Sequence, residues 1–266
     1  MIIDTHTHIF PDEQAAAILN RTARLFNVPT FGTGTAADLL QRMNACGIDR
    51  SVIHMVAPLP SQVLPTNTWL IQLDRDRFIK FGTLHPAHAG FKDEIGRLRD
   101  HGVQGIKFQP DIQQFSPDDK PGMYPLYEAM CASGLTVMFH VGGEPLPGPD
   151  DRSKPSMIAK VARDFPDMSI IAAHLGGLNM WDDVLIHLAG LPNVFLESSL
   201  SYDYIKPAVA ENIIRRHGHK KIFFGSDYPF GDIARAVYAA RNVGFLTEAQ
   251  RADILGLNAE RFFMTA

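Results

Sequence analysis

Cysteine is nearly absent: Cys46 and Cys131 are the only two in 266 residues. They lie far apart and lack metal-ligand spacing, so they read as reduced core thiols, and no disulfide framework is expected. No run of Lys or Arg forms a basic stripe, and 25 basic against 29 acidic residues leave a formal net charge of -4. That balance argues against a nucleic-acid backbone or an anionic membrane as the main partner and leaves a small molecule as the expected one. No apolar run approaches the roughly 18 residues that a membrane span needs. A charged-then-apolar leader is also missing, because the chain starts directly in a strand. These absences together predict a soluble, cytoplasmic protein. No linker or shift in composition divides the chain, so residues 1–266 are expected to form a single domain.

What is present is alternation. Hydrophobic residues make up 45% of the chain, with Gly 21 and Pro 18 as punctuation. Apolar strand-like runs start at Met1 and recur at 50–56, 78–84, 103–108, 135–140, 168–174, 194–198 and 221–226. Each is followed by a segment with helical spacing, and further closing helices are expected over 247–255 and 258–263. Eight strand-then-helix units imply parallel pairing with right-handed crossovers, which close as a (β/α)8 TIM barrel with extra C-terminal helices. A doubly wound open sheet is the alternative pattern. Connections from helix to strand are short, whereas those at 9–34, 109–122 and 141–155 are long and would all lie at the C-terminal rim, where pockets form.

The chemistry is expected at that same rim. In Asp4-Thr5-His6-Thr7-His8 the spacing places both imidazoles on one face of the first strand. The fifth strand ends in His140-Val141-Gly142-Gly143, the sixth in His174-Leu175-Gly176-Gly177 and the eighth in Gly225-Ser226-Asp227-Tyr228-Pro229. Each polar residue follows an apolar run and precedes a Gly or Pro turn. A strand-end histidine taken alone reads as a satisfied core residue, but imidazoles on strands one, five and six with a carboxylate on strand eight read as a metal site.

These motifs, with Gly105-Ile106-Lys107-Phe108, resemble the amidohydrolase superfamily over nearly the whole chain. The resemblance is to the amidohydrolase-related group that includes aminocarboxymuconate-semialdehyde decarboxylase. It implies that His6, His8, His140 and Asp227 hold one divalent metal, zinc first and manganese second, with Asp227 as general base and His174 beside the activated water or the substrate. Lys107 is expected as an ordinary ammonium facing substrate. The alternative is a carbamylated Lys107 that, with His174, supports a second metal. The first reading of function is a hydrolase of a small amide, ester or lactone using metal-activated water. The alternative is a non-oxidative decarboxylase of an aromatic or unsaturated carboxylic acid. A TatD-like nuclease is disfavoured by Lys107 and the missing basic stripe, and a non-enzymatic metal scaffold ranks last. Homo-oligomerisation through outer helices is compatible with such a barrel.

Weaker candidates complete the reading. His85, before Pro86, could line the pocket but reads more readily as structural, and His54, pointing from the second strand, reads as well as a buried, satisfied residue as otherwise. His101, His217 and His219 are expected on the opposite rim as cations favoured by helix dipoles. Arg152 and Lys154 could recognise a carboxylate, and Phe10, Trp181, Tyr202, Tyr204 and Phe230 could wall an apolar pocket.

Overall fold

The computed structural model describes residues 1–143 and 152–264. The chain begins with β1 (Ile3–His8), α1 (Asp12–Phe26), α2 (Ala36–Cys46), β2 (Arg50–His54), α3 (Val63–Ile71), β3 (Phe78–Thr83) and α4 (Phe91–Asp100). It continues with β4 (Gly105–Phe108), α5 (Pro110–Gln113), α6 (Lys120–Ala132), β5 (Thr136–Phe139), α7 (Pro155–Asp164), β6 (Ile170–Ala172) and α8 (Trp181–His187). The last elements are β7 (Val194–Glu197), α9 (Pro207–His217), β8 (Ile222–Phe223), α10 (Ile233–Arg241), α11 (Glu248–Ala252) and α12 (Asn258–Met264). The eight strands are parallel and neighbour one another in sequence order. The seam between β1 and the end of β8 is closed by Thr5 N donating to Phe224 O at 2.8 Å, Asp227 N to His6 O at 2.8 Å and His8 N to Tyr228 O at 2.6 Å. This is the TIM barrel the alternation implies, not an open sheet.

Local chemistry explains the boundaries. The Thr35 hydroxyl accepts from Asp38 N at 3.3 Å to start α2, and Gly47, at φ 69°, ends it. Strand six stops short of its expected end because His174 and Leu175 take φ values of 60° and 52°. Left-handed backbone interrupts the ladder, so the chain leaves β6 just where His174 stands. Strand eight's regular ladder ends at Phe223, but the chain stays bonded to β1 as far as Tyr228, with Asp227 at φ 62° between them. The register of β1 against β2 shifts between Asp4 and Thr7. That irregularity lets odd-numbered Ile3 and even-numbered His6 and His8 all face the barrel interior.

The interior is layered. Ile3, Val52, Ile79, Phe81, Met138, Ile171 and Phe223 pack as an apolar plug, and α12 seals the N-terminal end of the barrel. Phe263 sits edge-on to Phe81 with centroids 5.9 Å apart, and Phe262 sits 4.6 Å from Phe195. The extra C-terminal helices therefore act as the barrel's floor. Burying α12's aromatics removes several hundred Å² of apolar surface from water, at roughly 25 cal/mol per Å². Between barrel and helices lies the larger apolar layer. Among the described residues no helix is long and apolar enough to cross a membrane.

His217 departs from expectation. It is buried, its Nδ1 accepts from Gly190 N at 3.1 Å, and burial, aided by Lys221, lowers its pKa to about 4. It is therefore a neutral packing residue at pH 7 and not a helix-end cation. His219 does face an acidic partner, Asp253, at 3.2 Å.

Candidate active site

Above the apolar plug the barrel interior turns polar. His6 and His8 come from β1, His54 from the end of β2 and Lys107 from β4, while His140, His174 and Asp227 follow β5, β6 and β8. His6 Nε2 lies 3.1 Å from Asp227 Oδ1 and 3.3 Å from His8 Nε2, and His8 Nε2 lies 3.2 Å from the same Oδ1. Donors that each stand about 2.1 Å from one cation are themselves about 3.0–3.4 Å apart. The triangle therefore fits one face of a coordination shell for a divalent ion, and the donor chemistry, imidazole with carboxylate, suits zinc or manganese.

A second layer of hydrogen bonds fixes the imidazoles. Glu197, fully buried at the end of β7, receives the His6 Nδ1 proton on Oε2 at 2.7 Å. Ser199 Oγ donates to that same oxygen at 2.8 Å, and Ser199 N donates to Oε1. His174 Nδ1 lies 3.0 Å from Ser199 Oγ and 3.3 Å from the Ser199 carbonyl, so it carries a proton. His174 Nε2 then accepts from His140 Nδ1 at 3.0 Å, which leaves His140 Nε2 without a proton and facing outward from the network. The network thus presents unprotonated nitrogens to the cavity, as metal binding requires.

Burial dominates the electrostatics. It raises the cost of charge on Asp227, but the charges and hydrogen bonds of His6 and His8 outweigh it and hold that carboxyl well below the usual range. Burial lowers His8 to about 4 against the pull of Asp227, and it holds His54 and His174 well below the ordinary imidazole value. For His6, burial and Lys107 push downward, yet Asp227 and Glu197 outweigh them and the net shift is upward. Asp4 accepts from His6 N at 3.1 Å and Ser226 N at 3.0 Å, tying β1 to the β8 loop, and burial pushes its carboxyl up to about 7.

The polar ring floors a cavity of about 490 Å³. Its walls are mainly apolar: Phe26 of α1, Phe31, Leu178, Leu200 and Phe230, with Phe10 and Tyr202. The first long loop is thus a pocket wall, as its composition suggests. Lys107, 1% exposed, lies with Nζ 3.5 Å from His6 Nε2. At the mouth Arg235 pairs with Asp203 at 2.8 Å. Tyr204 lines the mouth, whereas Trp181 does not and instead donates its indole N–H to His174 O at 3.1 Å. His85, Arg152 and Lys154 are not among the lining residues. Arg152 N donates to Asp111 at 3.1 Å and Lys154 precedes α7. Residues 144–151 of the third long loop lie outside the described residues.

Sequence reasoning did not single out Glu197, Ser199 or Asp4. An acid closing an apolar strand, Phe195-Leu196-Glu197, was the available signal for the first. Gly225 also gains a reason: a Cβ there would stand 1.9 Å from Glu197 Oε1 and 2.9 Å from His6 Cβ. Only glycine lets the acid reach the imidazole.

The family model for amidohydrolases matches residues 3–264. This chain belongs to the amidohydrolase family. Solved structures similar to this amidohydrolase include a 5-carboxyvanillate decarboxylase from Sphingomonas paucimobilis, 18% identical, with 98% of each chain covered and a TM-score of 0.74. A dihydroxybenzoic acid decarboxylase from Polaromonas, solved with manganese and the inhibitor 2-nitroresorcinol, is 16% identical at a TM-score of 0.70, covering 98% of this chain and 96% of the other. A probable 2-pyrone-4,6-dicarboxylic acid hydrolase from Acinetobacter baumannii, with citric acid bound, is 16% identical at 0.71, covering 98% of each chain. No curated protein matches the sequence. At these identities the likeness is one of fold, extending over the whole barrel and its closing helices.

Proposed function

We propose that this amidohydrolase is a metal-dependent, non-oxidative decarboxylase of a hydroxylated aromatic carboxylic acid. The observation that carries the reading is the cavity: an apolar, aromatic-walled space of about 490 Å³ lined also by Lys107, four imidazoles and Asp227. A flat arene fits the walls and a carboxylate fits the cationic floor. The decarboxylases of the same fold support it, and they move the hydrolase expected first from the sequence to second place. The Acinetobacter neighbour favours the hydrolase reading.

His6, His8, His140 and Asp227 would hold the cation, zinc by donor type or manganese as in the Polaromonas protein. When bound, it would act as a Lewis acid on the substrate's oxygens. Lys107, as an ammonium, would pair with the substrate carboxylate, and the apolar walls would exclude water from it. Asp227 Oδ2, which makes none of the imidazole contacts, is the atom assigned to proton transfer. A hydroxyl beside the carboxylate gives its proton to Asp227, and Asp227 returns it to the ring carbon bearing the carboxylate. The carbon–carbon bond then breaks, CO₂ leaves, the electron pair restores the ring as a phenolate, and water supplies the phenolate's proton. His174 acts through His140, whose tautomer it sets.

Metal-loaded protein incubated with hydroxybenzoic acids is expected to release CO₂ and the decarboxylated phenol in equal amounts, with turnover down about 10³-fold or more in Asp227→Asn. Release of no CO₂, with opening of lactones or amides instead, would establish the hydrolase.

A further inference from the structure

His54 is a polar side chain in the barrel that this chemistry leaves without a task. It is 0% exposed, and both ring nitrogens are buried without a hydrogen-bond partner. Among the described residues of the site, the other rings each have at least one nitrogen engaged: the proton of His6 Nδ1 goes to Glu197, and that of His174 to Ser199. Leaving a buried polar group unsatisfied costs its desolvation, and an imidazole carries two such atoms. Its placement is specific. In the parallel register His54 stands beside His8, with ring centroids 4.3 Å apart, and its centroid is 4.8 Å from that of His6. One ligand atom from each of the three residues falls within 4.8 Å of the others. His54 does not line the cavity, so a substrate in that cavity does not reach it.

We propose that His54 is a further metal ligand, a third imidazole on the β1–β2 side of the site beside His6 and His8. This rests on the metal-dependent reading above and extends it. A nitrogen-rich shell favours zinc over manganese, since imidazole suits the former and carboxylate or water the latter. His54 is accordingly the residue that sets which ion the barrel retains.

The test uses the full chain stripped of metal and reloaded with Co²⁺, Zn²⁺ or Mn²⁺, with circular dichroism to check folding. His54→Gln is expected to weaken Zn²⁺ and Co²⁺ binding about tenfold or more, to weaken Mn²⁺ less, and to change the visible absorption of the bound Co²⁺. Should that variant not fold, the wild type decides: Co²⁺-loaded protein shows four contact-shifted imidazole N–H resonances if His54 ligates with His6, His8 and His140, and three if it does not. A folded His54→Gln with unchanged affinities and Co²⁺ spectrum, or three resonances in the wild type, overturns the proposal while leaving the metal-dependent function intact. A wild type that binds none of the three ions overturns both.

Discussion

Glu197 illustrates how much of the site depends on residues that touch neither cavity nor substrate. Its Oε2 holds the Nδ1 proton of His6 at 2.7 Å and is itself braced by Ser199. Glu197→Gln keeps the shape but weakens the acceptor, so metal affinity is expected to fall about 10–100-fold, measured by competition with a chelating dye, while the circular dichroism spectrum stays the same. Gly225→Ala should reproduce that loss, because its Cβ would occupy the space of the carboxylate. His6, His8, His140, His174 and Asp227 were legible in the sequence because each closes an apolar run before a turn. Glu197 was not, and His54 stood only as a weak candidate, because a lone polar residue in a buried strand says nothing of which neighbour it meets across the barrel.

At the scale of elements, the junction between α9 and β7 stores a pH dependence. His217 has a pKa lowered to about 4 by burial and Lys221, against 6.5 in an unfolded chain. Above pH 6.5 both states are neutral there and the packing contributes fully. As pH falls towards 4 the unfolded chain takes up the proton first, so stability is lost across that window, by up to about 3 kcal/mol. Urea unfolding of wild type and His217→Asn between pH 7 and 4 checks this: the variant should show the shallower decline, and parallel curves would refute it. The element boundaries show the same division of information. Helix α2 follows its Thr35 cap and periodicity closely, while β6 ends early because left-handed backbone at His174 and Leu175 takes over, a choice set by tertiary contacts.

For the whole molecule, the proposed metal site lies across the β1–β8 seam, joined by a few backbone bonds and by Asp4. A cation held by His6, His8 and Asp227 would clamp the first strand to the last. At metal 100-fold above its Kd the stabilisation is about 2.7 kcal/mol, which corresponds to roughly 5–10 °C in Tm for a chain of this size. Chelation is expected to lower Tm by that amount and to speed amide exchange selectively at Thr5, His8 and Asp227. Uniform loss of protection around the barrel would contradict a clamp at the seam.

The sequence by itself determined the barrel, the family resemblance and the ring of rim histidines with Asp227, because strand alternation, short inner loops and strand-end motifs are local patterns. Tertiary structure alone decided which side chains meet: that Glu197 bonds His6, that His174 bonds His140, that His54 stands beside the β1 pair and that the cavity walls are mainly apolar. Those facts depend on strand register, on one bulge in β1 and on left-handed turns at the rim. None of these leaves a periodic trace in the chain.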